Sequence, residues 1–86
     1  MSRYDVVVEV WLRPGIADPQ GATIERALPA LGFAGIERLT AGKAFRFTVE
    51  AASEADAGAR ADELAQRLLA NPVIEEAEVV VGSVLR

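Results

Sequence analysis

Cysteine and histidine are both absent from the chain, and lysine occurs once, as Lys43. Without cysteine there is no disulfide scaffold, no zinc–thiolate cluster and no thiol nucleophile. Without histidine the commonest general base and the commonest metal ligand are missing. No apolar run approaches the roughly 20 residues that span a bilayer. Positive charge is also in deficit: nine Lys and Arg against thirteen Asp and Glu give a net charge of −4 and a pI near 4.7. A chain of that sign is repelled by phosphate backbones and anionic lipid, so neither nucleic acid nor a membrane is expected as a partner. Residues Met1, Ser2, Arg3, Tyr4 and Asp5 carry charge where a signal peptide would be apolar, so a cytoplasmic protein is expected.

Apolar residues, by contrast, are plentiful. Leu, Ile, Val and Phe supply 25 of the 86 residues, well above the level of disordered chains. The expectation is a single domain over residues 1–86. Its size sets a limit, because a small domain buries a smaller share of its surface than a large one. Ordering it costs on the order of 130 kcal/mol at ~1.5 kcal/mol per residue. Burial against another chain would help.

Tyr4 to Leu12 alternates, with Val6, Val8, Val10 and Leu12 on one face and Asp5, Val7, Glu9 and Trp11 on the other. Arg13-Pro14-Gly15 ends this strand. Asp18-Pro19 starts a helix, Asp as N-cap and Pro at the first helical position. Ile24, Ala27, Leu28 and Leu31 give it an apolar stripe, and Gly32 suits the left-handed residue that closes it. Pro29 predicts a distorted last turn. Ile36 to Thr40 and Ala44 to Glu50 read as strands joined in a hairpin around Ala41-Gly42-Lys43. Ser53, with Asp56 in capping-box position, opens a second helix with Ala57, Ala61, Leu64, Ala65 and Leu68 as its buried stripe. Asn71-Pro72 stops it. A last strand runs from about Glu76 to Val84.

The order β-α-β-β-α-β predicts an α+β fold: a ferredoxin-like two-layer sandwich, with a four-stranded antiparallel sheet and two helices on one face. The other face is then open. Val7 and Trp11 point to it from strand one, and strand four is apolar on both sides, with Val79 and Val81 on one and Val80 and Val84 on the other. An exposed apolar face usually marks an interface. Self-association through Val7, Trp11, Val79 and Val81 is expected.

Three segments are candidates for function. Arg13 to Gly21 is a stiff loop opening onto a helix N-terminus; it reads either as an anion site or docking surface, or as a capped turn that holds the helix at a fixed angle. Asp18 weakens the anion alternative because it already takes those N–H groups. Gly42-Lys43 is a turn carrying the sole lysine, and Asn71-Pro72 is a helix stop. Glu75, Glu76 and Glu78 read as a solvated edge that discourages unwanted strand pairing. Tyr4, Ser2, Ser53 and Ser83 have no His or Cys to activate them, so no catalytic centre and no metal site is expected.

Taken in order, Arg13-Pro14-Gly15, Asp18-Pro19-Gln20-Gly21, Ala27-Leu28 with Leu31-Gly32, Gly42-Lys43 and Leu69-Ala70-Asn71-Pro72-Val73-Ile74-Glu75 resemble the PurS family. That family is the small subunit of phosphoribosylformylglycinamidine synthase, and the resemblance spans nearly the whole chain. It implies a non-catalytic subunit of an ATP-dependent ligase of de novo purine synthesis. That complex converts formylglycinamide ribonucleotide, glutamine and ATP to formylglycinamidine ribonucleotide, glutamate, ADP and phosphate. It further implies a PurL-type synthetase partner that uses ATP and Mg, a PurQ-type glutaminase partner that supplies ammonia, and a homodimer or higher oligomer bridging the two. The small subunit would hold no cofactor of its own. By the same analogy, partner contacts fall on Arg13, Pro14, Gly15, Asp18, Pro19, Gln20, Gly21, Gly42, Lys43, Asn71 and Pro72.

Two other functions fit the residues. One is a regulatory module binding an amino acid at the loop after strand one, where Gly15 and Gly21 permit close backbone approach. The other is a small phosphate-handling hydrolase using Arg13 and Asn71, disfavoured because Pro14, Pro19 and Asp18 remove donors and add negative charge.

Overall fold

The alternation of strand one makes β1 (Ser2–Leu12) the middle of a three-stranded antiparallel sheet in the order β2-β1-β3, with β2 at Gly42–Ala51 and β3 at Glu75–Leu85. The structure, a computed structural model, describes residues 1–85 and the side chains of residues 1–82. Tyr4, Val6, Val8 and Val10 are buried on one face. Phe45 and Val79 stand opposite Val8 in the register, and Phe47 and Val81 opposite Val6.

Over that face lies α2 (Glu54–Leu64), begun by Ser53, whose Oγ accepts from Asp56 N at 3.1 Å. Ala57, Ala61 and Ala65 recur every four residues and are fully buried. The methyl groups of Ala61 and Ala65 let the helix lie close on the valines, which supply the largest fully buried side chains of the core, while Ala57 packs with Tyr4 and Ala51. The helix ends in a wide turn over Ala65–Leu69, where Ala70 N donates to Ala65 O at 2.9 Å, five residues back. That extra residue rotates the last turn. Leu69 therefore reaches the core, while Leu68, expected in the stripe, is 75% exposed.

The other helix, α1 (Pro19–Ala27), starts at Asp18 and Pro19 as expected and gives way at Pro29 to a tight turn over Pro29–Leu31. Gly32 closes that turn with φ 87°. Its apolar stripe behaves otherwise. No α1 side chain enters either core cluster, and Ile24, Leu31, Phe33 and Ile36 are exposed, Leu31 by 70%. A single helix covers the sheet, not two.

The expected strand Ile36–Thr40 does not form, so the sheet has three strands and not four. Gly35 at φ 81° and Arg38 at φ 56° break the extended run, and Leu39 N donates to the Glu25 carboxylate at 2.6 Å instead of to a neighbouring strand. With no preceding strand there is no hairpin at Gly42-Lys43. Gly42 lies inside β2 opposite Trp11, where an added Cβ would stand 2.7 Å from Val10 O.

The open face differs from expectation too. Val79 and Val81 pack toward α2, because they share the register of Val8 and Val6. Val80, opposite Val7, is the β3 valine on the open side; the face of Val84 lies outside the described side chains. Around Val7, Trp11 and Val80 the open face carries Asp5, Glu9, Arg46, Thr48, Glu76 and Glu78. It is a charged surface with a small apolar centre.

Val8→Ala removes two fully buried methyl groups and is expected to cost about 2 kcal/mol. Leu68→Ser should change stability by less than about 0.5 kcal/mol. Urea unfolding of both variants at one protein concentration checks the two faces of α2 together.

Candidate functional site

Antiparallel pairing brings the end of β1 and the starts of β2 and β3 to the same end of the sheet, with Trp11 opposite both Gly42 and Glu76. The three candidate segments, far apart in sequence, meet there. Arg13 is the first brace. Its backbone N donates to Ile74 O at 2.8 Å, and its Nε and Nη2 donate to Pro72 O at 3.0 and 2.8 Å. Nη1 reaches Glu76 Oε1 at 3.5 Å. The planar guanidinium fork suits one carbonyl gripped by two N–H groups, which a lysine would not reproduce. Glu76 also accepts from Trp11 Nε1 at 3.1 Å, joining the brace to the sheet.

The second brace runs through Glu75. Its Oε1 accepts from Asn71 N at 2.7 Å, and its Oε2 lies 3.6 Å from Lys43 Nζ. Lys43 also stands 5.8 Å from the centre of the Phe45 ring. Asn71 shapes the corner with its own side chain, Oδ1 accepting from Val73 N at 3.1 Å.

Asp18 is the third. Oδ1 accepts from Gly21 N at 3.0 Å, capping α1, and Oδ2 accepts from Ala41 N at 2.8 Å, at the entrance to β2. The Gly21 and Ala41 amides hold the Asp18 carboxyl below its ordinary value of 3.8, against a smaller opposing effect of burial. Gly21 is buried, and nothing larger fits there: a Cβ would stand 2.8 Å from Leu39 O. Pro14, Gly15, Pro19 and Gln20 remain exposed on the rim, Gly15 with φ 88°.

Two open clefts flank this end. One of about 290 Å³ is lined by Trp11, Asp18, Gln20, Lys43 and Glu75, among others. The other, about 310 Å³, lies along Arg13 to Ile16 and Thr40. Their ionic groups are already engaged, Lys43 with Glu75, Arg13 with Pro72 and Glu76, and Asp18 with two amides. That leaves little for an amino-acid zwitterion or a phosphate to pair with. No group of three or more metal-ligating side chains is placed together among the described residues. The geometry is that of a cross-braced sheet end.

Of the expected partner-contact residues, Arg13, Asp18, Gly42, Lys43, Asn71 and Pro72 are brought together; Val79 and Val81, expected to mediate self-association, are partly buried against the core on the α2 side. Glu75 and Glu76, read from sequence as a solvated edge, are instead the acceptors that join the segments. Their signal is positional: strand register sets Glu76 beside Trp11. Glu25, which holds Leu39 in place, had no such signal.

A family model described as PurS, phosphoribosylformylglycinamidine (FGAM) synthase, matches residues 5–83. The chain is 40% identical over 76 residues to the phosphoribosylformylglycinamidine synthase subunit PurS of Archaeoglobus fulgidus, covering 88% of this chain and 92% of that one. Among solved structures, a chain of PurLQS from Thermotoga maritima superposes with a TM-score of 0.87 at 33% identity, over 95% of this chain and all of that one. PurS of Methanocaldococcus jannaschii, described as one of the subunits of formylglycinamide ribonucleotide amidotransferase in the purine biosynthetic pathway, gives a TM-score of 0.81 at 32% identity over 93% and 96% of the two chains.

Because folding lowers the Asp18 pKa, its contribution to stability is complete above the ordinary value of 3.8 and is lost as pH falls through the lowered one. Asp18→Asn should therefore melt below the wild-type chain at neutral pH, and the gap should close in acid. Thermal unfolding across that range checks it; a gap that persists in acid would be evidence against the carboxylate as the source.

Proposed function

Because the chain belongs to the PurS family of phosphoribosylformylglycinamidine synthase subunits, we propose that it is the assembly subunit of that synthase in purine biosynthesis. It joins a PurL-type synthetase to a PurQ-type glutaminase and supports ammonia transfer between them, as a homodimer or higher oligomer in the cytoplasm. It holds no cofactor; ATP and Mg belong to the synthetase.

The observation that carries this reading is the amount of surface left over. A folded monomer of 9.1 kDa exposes about 4,900 Å², whereas this chain exposes 6187 Å². The surplus, roughly 1,300 Å², is within the range of about 1,000–2,500 Å² that one partner of an obligate dimer buries. The chain is long for its mass as well, with a radius of gyration of 16.4 Å against about 12 Å for a compact 86-residue domain. The exposed large apolar side chains include Ile24, Leu31, Phe33 and Ile36 on α1 and the segment after it, beside Ile16, Leu68, Val73 and Val80 elsewhere. Every charged group of the braced sheet end is already paired, which suits a rigid docking surface better than an acid–base site.

The three-stranded sheet reads as a ferredoxin-like frame without its edge strand. Beside β2 stands the vacancy that the segment 36–40 would fill, and above Phe45, Phe47 and Val49 the place of a second helix. A second copy of the chain supplies candidate elements for both. No helix among the described residues is long and apolar enough to cross a membrane.

Co-expression with the two larger subunits tests the reading. The wild-type chain should copurify with both and restore glutamine-dependent activity. Combining Arg13→Ala, Gln20→Ala and Lys43→Ala should reduce that activity at least about tenfold by weakening contacts of roughly 1 kcal/mol or more each. Leu31→Asp with Phe33→Asp should lower the sedimentation coefficient of the isolated chain. Activity that is the same with the chain omitted would overturn the proposal.

A further inference from the structure

Between Asp18 and Ala41 the chain leaves the sheet and returns to the place it left. The excursion contains α1, the tight turn after it and the crossover to β2, yet it contributes no residue to either core cluster, and Gly21 is its one buried residue. The bonds at its neck are polar. Asp18 joins the two ends through Ala41 N at 2.8 Å, and Glu25 Oε1 accepts from Leu39 N at 2.6 Å just inside. Gly21 lets the helix backbone approach Leu39 O closely. A segment with so few buried apolar contacts belongs to the low end of local stability, while the valine and alanine core of the sheet belongs to the high end.

We propose that residues 19–40 open as a unit separate from the sheet and α2, and that the Asp18 carboxylate is the clasp that keeps the unit closed by bridging Gly21 N to Ala41 N. One oxygen caps the helix; the other fixes that helix to the strand entrance. The exposed apolar side chains Ile24, Leu31, Phe33 and Ile36 ride on this unit. A closed clasp therefore presents them in one arrangement, and binding to any partner no longer bears the full cost of ordering them. The opening does not rest on the assembly function, since it is a property of the isolated chain.

Hydrogen exchange of the full chain, read by mass spectrometry at two protein concentrations, tests both halves. Amides of residues 20–40 should exchange at least about a hundredfold faster than those of central β1 at the lower concentration. Asp18→Ala should speed exchange across 20–40 by about tenfold, the scale of a lost charge-assisted hydrogen bond, with β1, β3 and α2 unchanged. Asp18→Ser separates the clasp from the cap: serine caps a helix well but is too short to bridge Gly21 N and Ala41 N together. It should behave like Asp18→Ala. Wild-type protection in Asp18→Ser would make Asp18 a helix cap alone and overturn the clasp. Equal exchange of 20–40 and β1 at both concentrations, or equal acceleration of both in Asp18→Ala, would overturn the separate unit. Failure to copurify with larger subunits would sink the assembly reading and leave these rates as they are.

Discussion

How closely α2 lies on the valine row of β1 governs the rest of the molecule. Ala61 and Ala65 offer Val6, Val8 and Val10 nothing but methyl groups, and Ala57 does the same for Tyr4 and Ala51, so the core is thin. Such a core covers the middle of one sheet face. It leaves Phe45, Phe47 and Val49 half-buried and gives α1 no place inside. A chain with a core of this size stays close to the threshold of stability, and the area it leaves exposed is of the size that association removes from water.

The end of the sheet compensates by polar means. Arg13, Glu75, Glu76, Lys43, Asn71 and Asp18 tie three chain segments together through side chain to backbone bonds and ion pairs. Exposed ion pairs add little stability taken singly, but together they fix the relative positions of backbone segments that no hydrophobic contact holds. Rigidity of that kind suits the docking role proposed for this end, because ordering a surface at the moment of docking would subtract from affinity. The loop residues left free, Pro14, Gly15, Pro19 and Gln20, are then displayed in one arrangement.

The proposed association and the excursion 19–40 are linked by the same shortage. The apolar stripe that sequence periodicity assigns to a buried helix is present, but its Ile24 and Leu31 stay exposed. With three strands and one covering helix, the sheet leaves Phe45, Phe47 and Val49 half-buried. Membership of a family whose Thermotoga maritima structure is a PurLQS assembly places that incomplete burial in a consistent setting.

Local chemistry was legible in the sequence. The alternation of β1, the Asp18-Pro19 start, the Pro29 distortion, the Gly32 closure, the Ser53 cap and the Asn71-Pro72 stop all depend on neighbours within a few residues, and each is found where it was expected. The ordered set of loop motifs carried the family. What periodicity could not supply was which faces meet. Leu68 and Leu69 exchange roles because a wide turn inserts one residue; Val79 and Val81 turn inward because register against β1 sets their side. Ile36 to Thr40 is not a strand because Glu25, fourteen positions away, takes the Leu39 amide. Hydrogen-bond partners and cover distant along the chain are settled by three-dimensional packing alone, since a residue's own pattern states that it is apolar but not what will lie over it.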